Sequence, residues 1–327
     1  MNAKYYIEKI INRSALSQEE AKSCMLLIGN GEMNDAQIVA LMTGLQFRGL
    51  ELNELKGFCS ALLELAIPVT LDFEEAIDVC GTGGDEKNTF NISTTTAFIL
   101  ASMGYKVIKH GNYGVSSLCG SSNVLEYLGI DFTSDSSILQ RQLDKTNLCF
   151  LHAPLFHPAL KVVAPLRKQL GTSTFFNGLG PLVNPAKPTH QLVGTYNLEL
   201  AKLYQHVLQN ERKNFTVIHG LDGFDELTFI GPTRILGKTI DSIIEGDNQH
   251  FSLTDLSGGE TVAESAKILV DLLEGNGTTA QNQVLAGNVA LGLQTFSPST
   301  NFQDAYAEAK AFIESGNGIS SFKQLLS

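Results

Sequence analysis

Gly81, Gly83 and Gly84 fall within four residues, with Thr82 between them and Asp85 behind, directly after the short apolar run Ala76 to Cys80. Glycines at this density let backbone amides come close to a ligand and form a concavity that favours anions. A helix is predicted to begin near Asn91-Ile92-Ser93-Thr94, so its amino end is also available to phosphate. The run is not a nucleoside-triphosphate P-loop, because no Gly-Lys-Ser/Thr ending follows. Nor is it a dinucleotide fingerprint, because Glu86 stands where the third glycine belongs. Taken alone, it is equally a tight turn.

A second polar loop adds weight. Lys109-His110-Gly111-Asn112 ends the next predicted strand, and Val115-Ser116-Ser117-Leu118-Cys119-Gly120-Ser121 leads into the next helix. In a parallel sheet, loops at the carboxyl ends of successive strands lie side by side and line a ligand crevice. One loop offers amides and hydroxyls; its neighbour offers a lysine, a carboxamide and further hydroxyls. The combination suits a polyphosphate with Lys109 as its cation, and the alternative, an ordinary surface lysine, stays open.

The formal charge of −11 argues against general nucleic-acid binding. Its distribution says more. No acidic residue lies between Asp144 and Glu199, a stretch that holds Lys145, Lys161, Arg167, Lys168 and Lys187. That pattern is either a site for an anion or a surface that happens to lack acids. A hydrophobic content of 43% with 17% charged residues places the chain among globular proteins, and 327 residues suffice for one large domain or two ordinary ones. No apolar run reaches membrane-spanning length, and Met1 to Tyr6 carry no apolar secretory segment. Cys24, Cys59, Cys80, Cys119 and Cys149 are scattered, with no CxxC pair and no HExxH helix, which disfavours a disulfide framework or a zinc site. A reduced, cytoplasmic setting with no membrane partner is expected.

The elements that must carry these loops follow from periodicity. The first seventy residues read as helices: Ser17 with Glu20, and Asn34 with Gln37, are capping boxes, and Gly49 and Pro68 are stops. From about Glu75 the pattern changes to alternating strands and helices. Strands are predicted at 76–80, 106–109, 148–152, 191–194 and 215–219, with helices over 93–103 and 121–128. The segment 159–185 interrupts with a helix and a Gly/Pro-rich turn, and amphipathic helices follow around 262–273, 283–293 and 305–313. The expected fold class is α/β: a small helical domain plus a larger α/β domain with a mostly parallel central sheet. The boundaries expected are 1–72 for the helical domain, with 163–188 returning to it, and 73–162 with 189–327 for the α/β domain. Substrates should meet between the two.

The runs DVCGTGGD, NIST, KHGN, GSSNVLEYLG, HPALKVVAPLRKQLG, FFNGLGPLVNPA, QLVGTY and the acidic run ending at Glu226 occur in one order between Asp78 and Pro232. In that order they resemble the hallmark motifs of the anthranilate phosphoribosyltransferase family. The resemblance implies transfer of the 5-phosphoribosyl group from phosphoribosyl diphosphate to the amine of anthranilate, with release of diphosphate, in tryptophan biosynthesis. It implies magnesium, two ions per subunit, and a homodimer formed through the helical domain.

Roles carry over residue by residue. Gly81, Gly83, Gly84, Asp85, Thr89, Asn91, Ser93, Thr94, Lys109 and Ser121 match contacts to phosphoribosyl diphosphate. Gly81, His110, Asn112, Arg167 and Pro181 match the anthranilate path, and Ser93, Asp225 and Glu226 match magnesium ligands. Without the resemblance, Asp225-Glu226 beside the Asp222-Gly223 turn is equally a solvated turn, and Arg167 an exposed helix residue. With it, the Arg167 fork suits a carboxylate. No catalytic base is assigned; His110 is the candidate. Lys109, magnesium and backbone amides would stabilise the charge that develops on the leaving diphosphate.

Three positions depart from the family's usual residues. Tyr113 follows KHGN where arginine is common, Ser173 replaces an arginine, and Asn123 replaces an aspartate. Two other readings share the scaffold. A pyrimidine nucleoside phosphorylase would use inorganic phosphate, and the Asp225-Glu226 pair, the Arg167 helix and the NPA run disfavour it. A nucleic-acid-binding relative would need a broad basic surface, which the net charge opposes.

Overall fold

The computed structural model describes residues 1–114, 119–246 and 251–327. The chain opens with four helices: α1 (Ala3–Ile11), α2 (Gln18–Gly29), α3 (Asp35–Arg48) and α4 (Leu52–Glu64). It continues through β1 (Ile77–Gly81), α5 (Ile92–Ser102), β2 (Val107–Gly111), α6 (Ser121–Tyr127), α7 (Ser136–Thr146) and β3 (Leu148–His152). Two helices follow, α8 (Ala153–Phe156) and α9 (Pro158–Leu170), then β4 (His190–Gly194), α10 (Leu198–Glu211), β5 (Asn214–Gly220), β6 (Thr233–Gly237) and β7 (Asp241–Ile244). The chain closes with α11 (Val262–Leu273), α12 (Thr279–Phe296), α13 (Phe302–Glu314) and α14 (Ile319–Leu326).

Contacts divide the chain into two compact units. The helical unit is Met1–Val69 with Ala153–Lys187, and the α/β unit is Thr70–His152 with Pro188–Ser327. The small helical domain and the larger, mostly parallel α/β domain are therefore both present. The return into the helical unit runs from Ala153, ten residues ahead of the expected 163.

In the helical unit both capping boxes form. Glu20 N–H donates to Ser17 Oγ at 3.2 Å and Ser17 N–H to Glu20 Oε2 at 2.7 Å; Asn34 and Gln37 exchange the same pair of bonds at 3.0 and 3.1 Å. These bonds satisfy amides that a helix start leaves without partners. Gly49 ends α3 with φ 87°, a conformation that glycine adopts without a side-chain clash. Leu41 and Leu45 on α3 and Leu55, Phe58 and Leu62 on α4 are buried.

In the α/β unit the seven strands are ordered β3-β2-β1-β4-β5-β6-β7. The first five are parallel, and β6 and β7 extend the sheet antiparallel. Strand order reverses direction between β1 and β4, the switch point at which doubly wound sheets hold ligands beyond their carboxyl ends. Ile77, Val79, Leu192 and Ile218 on the sheet and Phe98, Ile99, Leu285 and Val289 on α5 and α12 share one buried core. Each such side chain contributes roughly 1.5–3 kcal/mol by leaving water, which fixes the strands that carry the loops.

The basic residues of the acid-free stretch after Asp144 are divided between the two units. Lys145 ends α7 in the α/β unit and bonds Ser327 Oγ at 2.8 Å, whereas Lys161, Arg167, Lys168 and Lys187 lie in the helical unit. No helix among the described residues is long and apolar enough to cross a membrane.

Candidate active site

Strands β1 and β4 end in register at Gly81 and Gly194, and both glycines are required by what lies over them. A Cβ on Gly81 would stand 2.5 Å from Asp225 Oδ2, and one on Gly194 would coincide with the Asp225 carbonyl. The loop after β5 thus lays Asp225 across the switch point. Gly83 and Gly84 turn with φ 59° and 84°, which aims the Gly83 N–H at Asp225 Oδ2, 2.8 Å away. That amide, expected to face phosphate, is here engaged by a carboxylate.

Three carboxylates meet at this loop. Asp225 is pushed up to about 7, first by burial and then by the neighbouring charge of Asp85, with which it shares a side-chain hydrogen bond. Glu226 is raised well above the ordinary range by burial and then by Asp225. Opposing this, the Ser93 N–H at the start of α5 donates to Glu226, and Lys109 lies close enough to stabilise its anion. The helix start adds its partial positive charge to the same carboxylate.

Lys109 is buried on β2. Its Nζ donates to the Val79 carbonyl and to Ser93 Oγ at 3.3 Å, and burial lowers its pKa while Cys80, Asp78 and Glu226 oppose that drop. Asp78, fully buried on β1, accepts the His110 N–H at 3.1 Å. Two side chains therefore bridge β1 and β2, and the ladder between these strands registers only the pair Ile77 and Val107. Asp78 opens the DVCGTGGD run, whose resemblance gives it no role. A carboxylate inside an otherwise apolar strand was the signal available.

Thr89 and Asn91 continue the first loop. Thr89 pairs with Ser257 and Asn88 Nδ2 donates to the Gly259 carbonyl, so residues 256–259 back this loop. Asn91 Nδ2 donates to the Cys119 carbonyl at 3.1 Å, tying the first loop to the second, and Thr94 is buried in α5. In the second loop the exposed Asn112 presents its carbonyl to Ser121 Oγ at 3.2 Å, and His110 is buried at the end of β2. Val115, Ser116, Ser117 and Leu118 lie outside the described residues. Asn123 Oδ1 accepts from the N–H groups of Gly114 and Gly120, each at 3.0 Å. A carboxylate would accept the same two bonds, so this departure preserves the loop. Tyr113 stands edge-on to His152, ring centroids 4.8 Å apart, and reaches toward Glu126.

Arg167 and Pro181 belong to the helical unit. Arg167 Nη2 donates to Asn177 Oδ1 at 3.0 Å, and its guanidinium lies 5.9 Å from the Phe176 ring centre. Asn177 Oδ1 also accepts the Thr174 N–H at 3.1 Å. Asn177 therefore positions Arg167, a role that the FFNG run did not disclose. Pro181 is buried in the short turn Gly180–Leu182. Ser173 has no effect that its contacts explain.

A hard divalent cation fits the α/β part of this arrangement. Among the described residues no three His, Cys, Asp or Glu side chains form a complete cation cage. Burial and mutual repulsion penalise the ionised forms of Asp225 and Glu226, and a cation between them would offset that penalty. An oxygen-only set, completed by water and substrate phosphate, is how magnesium is commonly held.

Comparison with known proteins gives one answer along the whole chain. The helical-bundle domain of the glycosyl transferase family matches residues 4–66 and its a/b domain residues 74–319. The anthranilate phosphoribosyltransferase of Christiangramia forsetii is 47% identical over 325 residues, covering 98% of each chain. The anthranilate phosphoribosyltransferase structure from Thermus thermophilus matches with a TM-score of 0.90 at 29% identity, covering 100% of this chain and 98% of that one. That from Saccharomyces cerevisiae, in complex with PRPP and Mg, matches with a TM-score of 0.89 at 26% identity, covering 99% and 96%. Within the glycosyl transferases, this chain belongs to the anthranilate phosphoribosyltransferase family.

Proposed function

We propose that the protein transfers the 5-phosphoribosyl group from phosphoribosyl diphosphate to the amine of anthranilate, releasing diphosphate, as a cytoplasmic enzyme of tryptophan biosynthesis. The observation that carries this reading is the convergence of the Gly81–Asp85 loop, Ser93, Lys109, Asp225 and Glu226 at the switch point of the sheet. Family membership at 47% identity over nearly the whole chain supports the choice of substrates.

The amine of anthranilate attacks C1 of the ribose, the C1–O bond breaks, and diphosphate leaves with the electron pair. Lys109 stabilises the charge that grows on the leaving oxygens; two of its three N–H bonds are held by Val79 and Ser93, which fixes the direction of the third. Gly81, Gly84, Thr89, Asn91, Thr94 and Ser121 provide the remaining polar edges of the phosphate site, and Asp85 and Gly83 hold Asp225 beside it. Ser93, Asp225 and Glu226 would hold magnesium, which supplies positive charge to the diphosphate; two ions per subunit is our reading. On the α/β unit, Gly81, His110 and Asn112 would serve anthranilate; on the helical unit, Arg167 beside Pro181 offers a fork that suits its carboxylate. Positioning and electrostatics supply most of the rate, and the proton that the amine loses once the C–N bond has formed passes to the substrate's own carboxylate or to water, so no side chain is required as a base.

We propose further that two copies pair through their helical units. Phe47 is 91% exposed there, and Ile11 and Tyr5 are exposed on the α1 helix that packs with α3. Light scattering should give twice the chain mass, and Phe47→Asp should halve it.

The deciding assay mixes the protein with phosphoribosyl diphosphate, anthranilate and magnesium and follows anthranilate fluorescence. Loss that needs all three supports the reading. Persistent fluorescence with a folded, diphosphate-binding protein sinks anthranilate as the acceptor.

A further inference from the structure

Asn288 lies in the middle of α12 and is fully buried. Its carboxamide bonds both polar groups of one residue sixty-one positions earlier. Leu227 N–H donates to Asn288 Oδ1 at 3.2 Å, and Asn288 Nδ2 donates to the Leu227 carbonyl at 2.8 Å. The second Nδ2 hydrogen goes to Val284 O, 2.8 Å away on the same helix. Both Nδ2 hydrogens and the Oδ1 acceptor are thus engaged, and a carboxylate could supply only the acceptor.

Leu227 follows Glu226 directly, so this clamp acts on the segment that carries both carboxylates of the site. Two further features show how tightly it is held. Phe229 has φ 59°, a left-handed conformation that costs energy for an aromatic residue unless its surroundings enforce it. Gly287, the neighbour of Asn288, lies against the same segment: a Cβ there would stand 2.7 Å from the Phe229 ring and 3.0 Å from Leu227 Cδ2. On its other side the segment presses Asp225 over Gly81 and Gly194. Helix α12 is itself anchored to β5, through Thr295 Oγ1 with Thr216 Oγ1 at 2.7 Å and Asn214 Nδ2 with Thr295 O at 2.8 Å.

We infer that Asn288 is a positioning residue: its carboxamide, backed by Gly287, fixes the Leu227 peptide and so holds Asp225 and Glu226 where they serve the diphosphate site. This rests on the reading of that pair given above. The amide is engaged by Leu227 and Val284, and its effect passes through the backbone of Leu227 to the two residues before it. Groups that orient first-contact ligands commonly change metal affinity by about 10–100-fold when removed.

The experiment uses Asn288→Ala and Gly287→Ala, with Gln294→Ala, which loses its bond to the Thr300 carbonyl, as a control on the same helix away from the segment. Hydrogen exchange of residues 221–231 is measured on the ligand-free protein, and magnesium is titrated in the fluorescence assay at saturating phosphoribosyl diphosphate. In Asn288→Ala, exchange at Leu227 should rise at least about tenfold above any rise in the core strands. The magnesium half-saturation should rise about 10-fold or more, while the rate at saturating magnesium falls much less. Gly287→Ala should shift both in the same direction by displacement, without removing a bond. The control should lose thermal stability with both readouts unchanged. Native exchange at 225–229 and a native magnesium requirement in whichever variant folds would overturn the inference. Absence of transferase activity in the unaltered protein would instead sink the functional reading, and the exchange measurement would still decide the clamp.

Discussion

The Asp225 carbonyl occupies the space that a side chain on Gly194 would need, so the end of β4 and the acidic loop are packed backbone to backbone. Gly194→Ala must push the Asp225 segment away from the switch point, because neither partner is a flexible side chain. Overpacking of this kind costs about 1–3 kcal/mol, and the displaced carboxylates should cut kcat/KM by at least about tenfold. Thermal unfolding and the fluorescence assay test this. A variant with native stability and native turnover would show that the loop is free to shift.

Asp225 makes stability depend on pH. Its folded pKa is raised from 3.8 to about 7, so the stability it contributes is fully present below pH 3.8 and is lost as pH rises through about 7. Glu226 is raised too and adds in the same direction. Asp225→Asn removes the ionisation, and its melting temperature relative to the native protein should climb between pH 4 and pH 8, measured without divalent cations. The same variant should lose transferase activity at every pH. A stability difference independent of pH would mean that the carboxylate is neither desolvated nor repelled.

Arg167 is held by one acceptor. Asn177 Oδ1 takes its Nη2–H and the Thr174 N–H together, which leaves the rest of the guanidinium edge for an anion. Arg167→Lys keeps the charge and loses the fork, so KM for anthranilate should rise about tenfold with KM for phosphoribosyl diphosphate little changed. Asn177→Ala should move the same constant by a smaller factor. Equal rises in both constants would place Arg167 outside anthranilate recognition.

Much of this site was legible because its parts are local. The Gly81–Asp85 turn, the Lys109 loop and the capping boxes at Ser17 and Asn34 each depend on residues a few positions apart, and the five parallel strands are short buried apolar runs. Other features depend on distant pairs. Strands β6 and β7 gave little signal because β7 is four residues long and mostly exposed. The clamp of Asn288 on Leu227 joins a helix that reads as simply apolar to a loop far earlier in the chain. The engagement of the Gly83 amide by Asp225 likewise appears only once β5 is laid beside β4.

The helical unit contains a separate test of stability that leaves the chemistry untouched. Glu54 is fully buried on α4 and accepts four bonds, from Leu16 N–H at 2.8 Å, Glu51 N–H at 3.0 Å and Arg48 Nη2 at 2.7 and 2.6 Å. Arg48 Nε and Nη1 are buried without a hydrogen-bond partner, so its charge depends on this one carboxylate. Glu54→Ala strands a buried guanidinium and two amides and should cost about 3–5 kcal/mol, read as a lower denaturation midpoint in urea. Replacing both partners, with Arg48→Met and Glu54→Leu together, should cost less than Glu54→Ala alone, because no charge is then left buried. Turnover per folded molecule should be native in both, since the network lies outside the residues assigned to substrate. If the double variant proves the less stable, the bonds to Leu16 and Glu51, rather than relief of the Arg48 charge, set what Glu54 contributes.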